Sequence, residues 1–235
     1  MTLPAQTLTP IGATPWRLSS ALVFAILLLV GFALPVVAGE HLRARAGDRG
    51  LGASDAPIVM IEYYSLDCPH CAAFHAEVFP KLKAEFIDSG KVRFVFRDFP
   101  LSWAALEAAI LTHCAPPERY FAVQDALLKS LGHWSKAEST LQAVAEIGEA
   151  QGISRDTFKT YIDVRVWERQ VFESQKFAHG VLGVKATPTF VINNDKLEGN
   201  LPFDKSSEGL TDMLDEIARE RDDSTSLEIS HHIES

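Results

Sequence analysis

Ile58-Val59-Met60-Ile61-Glu62-Tyr63-Tyr64 leads into Cys68-Pro69-His70-Cys71, and this junction decides the fold. The first seven residues are almost continuously apolar, as expected of a strand buried on both faces of a sheet. From Cys71-Ala72-Ala73-Phe74-His75 the pattern turns helical, with Phe74, Val78, Leu82 and Phe86 at four-residue steps on one stripe. Gly90 suits a left-handed helix stop. Pro80 lies inside the stretch, removes a ladder donor and predicts a kink. Beyond it Val92, Phe94 and Phe96 alternate with Arg93 and Arg97, a second strand over Val92–Phe96. Strand, helix and strand in this length predict a parallel βαβ unit with a right-handed crossover.

The chain from there to about His179 carries helical patterns and no convincing strand. They fall at Ala104–Cys114, Glu118–Leu131, Ser139–Gln151, Asp156–Ile162 and Trp167–His179. Breaks are expected at Ala115-Pro116-Pro117, at Gly132, and at Gly152-Ile153-Ser154, where Ser154 can cap the next helix. Strand character returns at Thr187-Pro188-Thr189-Phe190-Val191-Ile192-Asn193. Asn193-Asn194-Asp195 is turn chemistry, Lys196–Leu201 can pair back, and Ser206–Arg219 reads as a last amphipathic helix. The order β-α-β, helical block, β-β-α predicts an α/β, thioredoxin-like fold with an all-helical domain inserted between its halves. The domain spans 55–222, with the insertion at about 102–178.

Residues 1–20 carry no acid and one cation, Arg17; Ala21–Leu34 is apolar, and Val36 and Ala38 place small residues at the −3 and −1 positions of a cleavage site. This predicts a secretory signal over 1–38. An uncleaved membrane anchor competes. The run is shorter than the ~20 apolar residues a span needs, and Gly31 and Pro35 interrupt it, yet Arg43, Arg45 and Arg49 trail it. Both readings put the cysteines outside the cytoplasm, where disulfides persist. Residues 39–54 read as a linker and 223–235 as a disordered tail. The 235 residues carry a net charge of −9 with no basic block, which excludes nucleic-acid partners.

Of the three cysteines, two form the C-x-x-C. Thiol–disulfide exchange needs an attacking thiolate and a second thiol to resolve the mixed disulfide. At a helix start the Cys68 sulfur sits at the exposed end, where free amides and the dipole favour negative charge, and Cys71 is shielded one turn in. His70, between them, can donate a hydrogen bond or positive charge to the thiolate. A static disulfide competes, as does a zinc site completed by His75, or by His113 with Cys114. No second C-x-x-C or spaced histidine pair is present, so no metal and no cofactor are expected. Glu62 interrupts a buried strand; it is either a proton acceptor beneath the site, acting on Cys71, or a strand-end residue reaching water. Pro188, between Thr187 and Thr189, is an edge-strand proline or marks a loop whose free backbone groups pair with a substrate chain.

These residues resemble the DsbA family of exported thiol–disulfide oxidoreductases over about residues 50–220. The resemblance is carried by Glu62-Tyr63-Tyr64-Ser65-Leu66 before Cys68-Pro69-His70-Cys71, by Arg97-Asp98-Phe99-Pro100-Leu101, and by Thr187-Pro188-Thr189-Phe190. The Arg-Asp-Phe-Pro-Leu stretch and Cys114-Ala115 are most similar to the alphaproteobacterial type. The resemblance implies Cys68 as attacking and Cys71 as resolving cysteine, the two forming the redox-active disulfide, with His70 as thiolate stabiliser. It implies a cis bond before Pro188, with Thr187, Pro188 and Pro69 contacting substrate. It also implies a periplasmic monomer, reduced unfolded exported proteins as substrates, and a DsbB-like quinone-linked membrane protein as reoxidant. Three departures stand out. Asp67 precedes Cys68 and is expected to disfavour its thiolate. Cys114 lacks a partner, Tyr161 lying where one is expected, so it reads as an inert thiol. Thr187 before Pro188 also resembles the disulfide isomerases. Three functions follow: a dithiol oxidase, an isomerase or reductase of the same fold, and a binding or chaperone-like module with a structural disulfide.

Overall fold

The computed structural model describes residues 48–193, 195–199 and 209–220; the expected signal over 1–38 and tail over 223–235 lie outside them. In chain order the elements are β1 (Arg49–Leu51), β2 (Ile58–Tyr64), α1 (Pro69–Glu77), α2 (Phe79–Leu82) with a π-helical turn over Lys83–Ile87, and β3 (Val92–Asp98). The helical block is α3 (Trp103–Cys114), α4 (Tyr120–Lys129), α5 (Leu131–Trp134), α6 (Thr140–Ala150), α7 (Arg155–Val164) and α8 (Val166–Gly180). β4 (Thr189–Ile192) and β5 (Asp195–Glu198) follow, then helix α9 over 210–220. Among the described residues no helix is long and apolar enough to cross a membrane.

The sheet runs β1-β3-β2-β4-β5. β2 and β3 are parallel, which is the predicted βαβ unit, and β4 and β5 pair antiparallel beyond them. Side chains alternate across β2 with period two. Ile58, Met60 and Tyr64 join Phe94, Phe96 and Phe190 under α1 and the helical block. Ile61 and Tyr63 join Val95, Val191, Ala178 and Val184 on the other face. Both faces are covered, which accounts for the unbroken apolar run. The predicted stripe of Phe74, Val78, Leu82 and Phe86 is buried throughout. Pro80 does break the helix: α1 stops at Glu77, and the amides of Lys81 and Leu82 both reach the Val78 carbonyl at 3.1 Å. In the block, Ser102, Ser139 and Ser154 cap α3, α6 and α7 with their hydroxyls.

Four expectations are corrected. The break expected at Gly132 falls at Ser130, and Gly132 lies inside α5, because the buried Trp134 indole N–H donates to the Leu127 carbonyl at 2.8 Å. The hairpin strand is Asp195–Glu198, ending before the Leu201 expected from sequence; the last helix is described only from 210, its expected start at Ser206 lying outside the described residues. Arg97, placed by alternation on a polar face, is 3% exposed, and its guanidinium pairs with Asp48 at 2.7 Å and donates to Tyr63 Oη at 3.0 Å.

Most consequentially, residues 39–54 are not linker throughout. Arg49–Leu51 adds an antiparallel edge strand to β3. The glycines that suggested a spacer are what permit it. A Cβ on Gly50 would stand 2.8 Å from the Phe94 carbonyl oxygen. Gly52 has φ +91, and a Cβ there would lie 2.3 Å from the Val92 carbonyl oxygen. Gly90 shares a positive φ of 79, but a Cβ there meets nothing. Gly52→Ala is therefore expected to lower the unfolding free energy by about 2 kcal/mol or more, and Gly90→Ala by about 1 kcal/mol. Urea denaturation of the two variants checks this; equal losses would mean that the close approach of β1 to β3 is not what Gly52 serves.

Candidate active site

The turn Ser65–Cys68 carries the chain from the end of β2 to the start of α1. The Cys68 amide donates to the Ser65 carbonyl at 3.1 Å, and Cys68 itself is the extended N-cap residue, with φ −88 and ψ 118. Pro69 fills the first helical position, where its missing N–H costs nothing and its fixed φ starts the helix. Cys71 then points down onto the sheet.

The two sulfurs live in different surroundings. Cys71 is fully buried, and burial drives its thiol far above the ordinary range, with the hydrogen bond to Cys68 and the field of Glu62 adding to the effect. Cys68 goes the other way, lowered from 9.0 to about 5. The hydrogen bond from the Cys71 thiol contributes most. Burial opposes it, and the Thr187 side chain and the backbone amides of Cys71 and His70 add to the lowering. The contact that His70 makes with Cys68 is through its backbone N–H; its side chain is on an exposed residue.

Two further expectations change. Cys68 is 4% exposed rather than open at the helix end, because the loop before β4 covers it. Its Sγ lies 3.2 Å from the Thr187 carbonyl, so this carbonyl is engaged and not free. The Thr187–Pro188 bond is cis, and the buried Thr187 Oγ1 has no hydrogen-bond partner with Cys68 in its thiol form. Thr187 can therefore accept from the thiol through its carbonyl and donate to the thiolate through its hydroxyl. Asp67 does not face Cys68 as an uncompensated charge. It accepts from Ser65 Oγ and, at 2.6 Å, from Ser102 Oγ, and Ser65 Oγ accepts from the Leu101 amide at 3.1 Å. This clasp ties the turn before Cys68 to the first turn of α3.

Glu62 lies on the α1 face of β2, between Phe96 on β3 and Phe190 on β4. It is 0% exposed, so the strand-end reading fails. Burial raises its carboxyl, and His75, 3.2 Å away through Nε2, pulls it back. His75 is weighed from sequence only as a zinc ligand and missed as the partner of Glu62. Its i+4 spacing from Cys71 and the parity of Glu62 on β2 were the signals that could have found it. The zinc alternative loses His75 to this pair, and His113 donates or accepts at Asp98 at 2.9 Å while stacking on Trp167. Among the described residues no three such ligands converge. Cys114 lies against the Ile110 carbonyl at 3.2 Å, its thiol pushed up to about 12 by burial.

A family model described as thioredoxin matches residues 45–213. The crystal structure of Wolbachia pipientis alpha-DsbA1 is 34% identical and superposes with a TM-score of 0.69, covering 77% of this chain and 96% of that one. A Rickettsia bellii protein described as a protein-disulfide oxidoreductase is 30% identical over 152 residues, 64% of this chain and 59% of that protein. A Rickettsia felis protein described in the same words is 27% identical over 170 residues, 72% and 61% of the two chains. The match therefore spans about three fifths of the length of these Rickettsia relatives. With the thioredoxin model matched over 45–213 and alpha-DsbA1 covered almost whole, the chain belongs to the DsbA family of thioredoxin-fold proteins.

Proposed function

We propose that this protein is an exported thiol–disulfide oxidoreductase that introduces disulfide bonds into reduced proteins. The observation that carries the reading is the unequal setting of the two sulfurs: Cys68 is the N-cap residue of α1, 3.2 Å from the Thr187 carbonyl, and Cys71 is fully buried three residues on, so the first thiol is lowered to about 5 and the second driven upward. A stable Cys68 thiolate stabilises the reduced protein, and that makes the Cys68–Cys71 disulfide an oxidant. Cys68 is the sulfur that substrate attacks and that leaves as thiolate. Cys71 takes up the electron pair of the broken disulfide and later resolves the mixed disulfide on reoxidation. Glu62 exchanges the proton that a buried Cys71 must gain or lose.

Pro69, Thr187 and Pro188 flank Cys68 and are the residues assigned to substrate contact. Across the Ser65–Asp67 clasp Leu101 and Trp103 stand exposed, Trp103 at 69%, with its ring edge-on to Phe172 at 5.9 Å. Apolar surface at the rim of the redox turn suits an unfolded chain whose core residues are still in water. The periplasm is the compartment in which such an oxidase works, as a monomer, and a DsbB-like quinone-linked membrane protein is the class of partner that would reoxidise it.

Cys68→Ser is expected to abolish oxidation of a reduced, unfolded model protein, and residual oxidation at wild-type rate would return the pair to a structural disulfide. Equilibration with glutathione separates oxidase from isomerase or reductase. A potential less negative than about −180 mV supports the oxidase, and one near about −270 mV would make the protein a reductant. Thiolate absorbance should titrate near pH 5. Thr187→Val, which removes the hydroxyl donor, should raise that midpoint by about half to one unit. Asp67→Thr should move it less, because the lost carboxylate is already bonded to Ser65 and Ser102.

The same shift has a consequence for stability. The folded value lies below the unfolded one, so between about pH 5 and 9 the reduced fold binds fewer protons than its unfolded chain. Its stability therefore rises with pH across this window and is lost as pH falls through about 5. The oxidised form has no thiol to titrate. The lead of the reduced form over the oxidised form in denaturant midpoint should shrink between pH 7 and about 4. A lead independent of pH would refute the lowered Cys68.

A further inference from the structure

Cys71 and His75 lie four residues apart on α1, so their side chains stack on one face of the helix, toward the sheet. Glu62 faces this side of α1 from β2: His75 Nε2 stands 3.2 Å from Glu62 Oε2, and the field of the carboxyl reaches Cys71. The carboxylate has no exposure and its other oxygen, Oε1, has no partner, whereas the His75 side chain retains 11% exposure. The imidazole thus separates a closed carboxyl group from water. Aromatic rings hold it there: Phe79 at 5.1 Å, Phe96 at 5.3 Å and Tyr64 at 6.2 Å between centroids.

Exchange at this site requires a proton to cross that barrier. When a substrate thiolate attacks Cys68 Sγ, a new sulfur–sulfur bond forms and the Cys68–Cys71 bond breaks, with its electron pair going to Cys71. That sulfur is fully buried and must take a proton to become a neutral thiol. A second substrate thiolate then attacks the substrate sulfur of the mixed disulfide, and Cys68 departs as thiolate. Two substrate thiols are oxidised and one enzyme disulfide is reduced. If Glu62 gives Cys71 its proton, through the unpartnered Oε1, Glu62 must be recharged, and His75 is the hydrogen-bond partner its carboxyl has among the described residues.

We propose that His75 is a positioning residue that recharges and discharges Glu62, passing the Cys71 proton between the buried carboxyl and solvent. This rests on the reading of the cysteine pair and Glu62 given above. The titratable groups facing His75 are Glu62 and Tyr64, both from β2; α2 and β3 present Phe79 and Phe96. Tyr64 stays neutral, its phenol raised well above 10 by burial and in contact with Tyr120 Oη at 3.4 Å. Glu62 is therefore the partner whose charge His75 follows.

The test compares wild type with His75→Gln, which keeps a hydrogen bond to Glu62 but cannot titrate, His75→Phe, which extends the aromatic cage, and Glu62→Gln. The rate at which dithiothreitol reduces each oxidised protein is followed from about pH 4.5 to 8, across the imidazole and carboxyl ranges. The expected result is a break in the wild-type profile that both His75 variants lose, with rates about tenfold lower at pH 7. A His75→Gln profile that superposes on wild type while Glu62→Gln departs from it overturns the role of His75 and leaves that of Glu62 standing. If Glu62→Gln also superposes, both roles fall. Loss of all exchange in Cys68→Ser tests the underlying reading separately. Should either His75 variant fail to fold, His75→Asn, smaller than both, is followed in the same way, and a profile that superposes on wild type overturns the proposal.

Discussion

Free backbone amides at the start of α1 meet one sulfur, and the closed face of a sheet buries another three residues along. Both circumstances come from a single constraint, that β2 must end where α1 begins and α1 must lie across β2. The N-cap position gives Cys68 unsatisfied donors. One helical turn later, Cys71 is over a strand whose neighbours on both sides are apolar. A hydrogen bond from the inner sulfur to the outer one then converts unequal burial into unequal acidity. The unequal acidity of the pair comes first from burial and from the hydrogen bond between the two sulfurs. It depends on the geometry of a strand–helix junction and on the loop that closes over it at Thr187.

That loop and the helical block hold the junction from opposite sides. The Asp67 clasp fastens the turn to α3 through Ser65 and Ser102, while Ser102 also caps α3 by accepting from the Ala105 amide. A carboxylate beside Cys68 therefore acts as a strut between the thioredoxin-like half and the insertion. Its charge is spent on two hydroxyl donors. From the other side Thr187 meets the same sulfur, 119 positions away in sequence. The turn is thus fixed by elements that only the fold brings together.

The fold was largely legible because its strands are strongly typed. β2 is apolar on both faces, β3 alternates, and the Pro80 break and the Ser154 cap are local chemistry. The cysteine pair and Thr187-Pro188 were legible for the same reason, since each is a short motif at an element boundary. What failed to show were properties set by packing between distant segments. β1 is three residues long and looks like spacer, since glycine there serves a close approach to β3 and not flexibility. The burial of Cys68 comes from a loop that follows the whole insertion. Arg97 reads as a surface residue until Asp48 and Tyr63 are placed beside it.

Buried polar groups distinguish what holds this fold from what works in it. On the face away from α1, Arg97 is enclosed by a carboxylate and a phenol and is fully engaged, as an interior cation must be to avoid a large desolvation penalty. On the α1 face Glu62 is buried as completely, with one oxygen bonded and the other not. An unpartnered buried carboxyl oxygen costs about 1–3 kcal/mol, and a glutamine or an apolar residue at the same place would avoid the charge altogether. A group kept at such a cost in the core fits the proton-transfer role proposed above better than a purely structural one. Its bond to a histidine that still touches water is the feature on which the proposed relay rests.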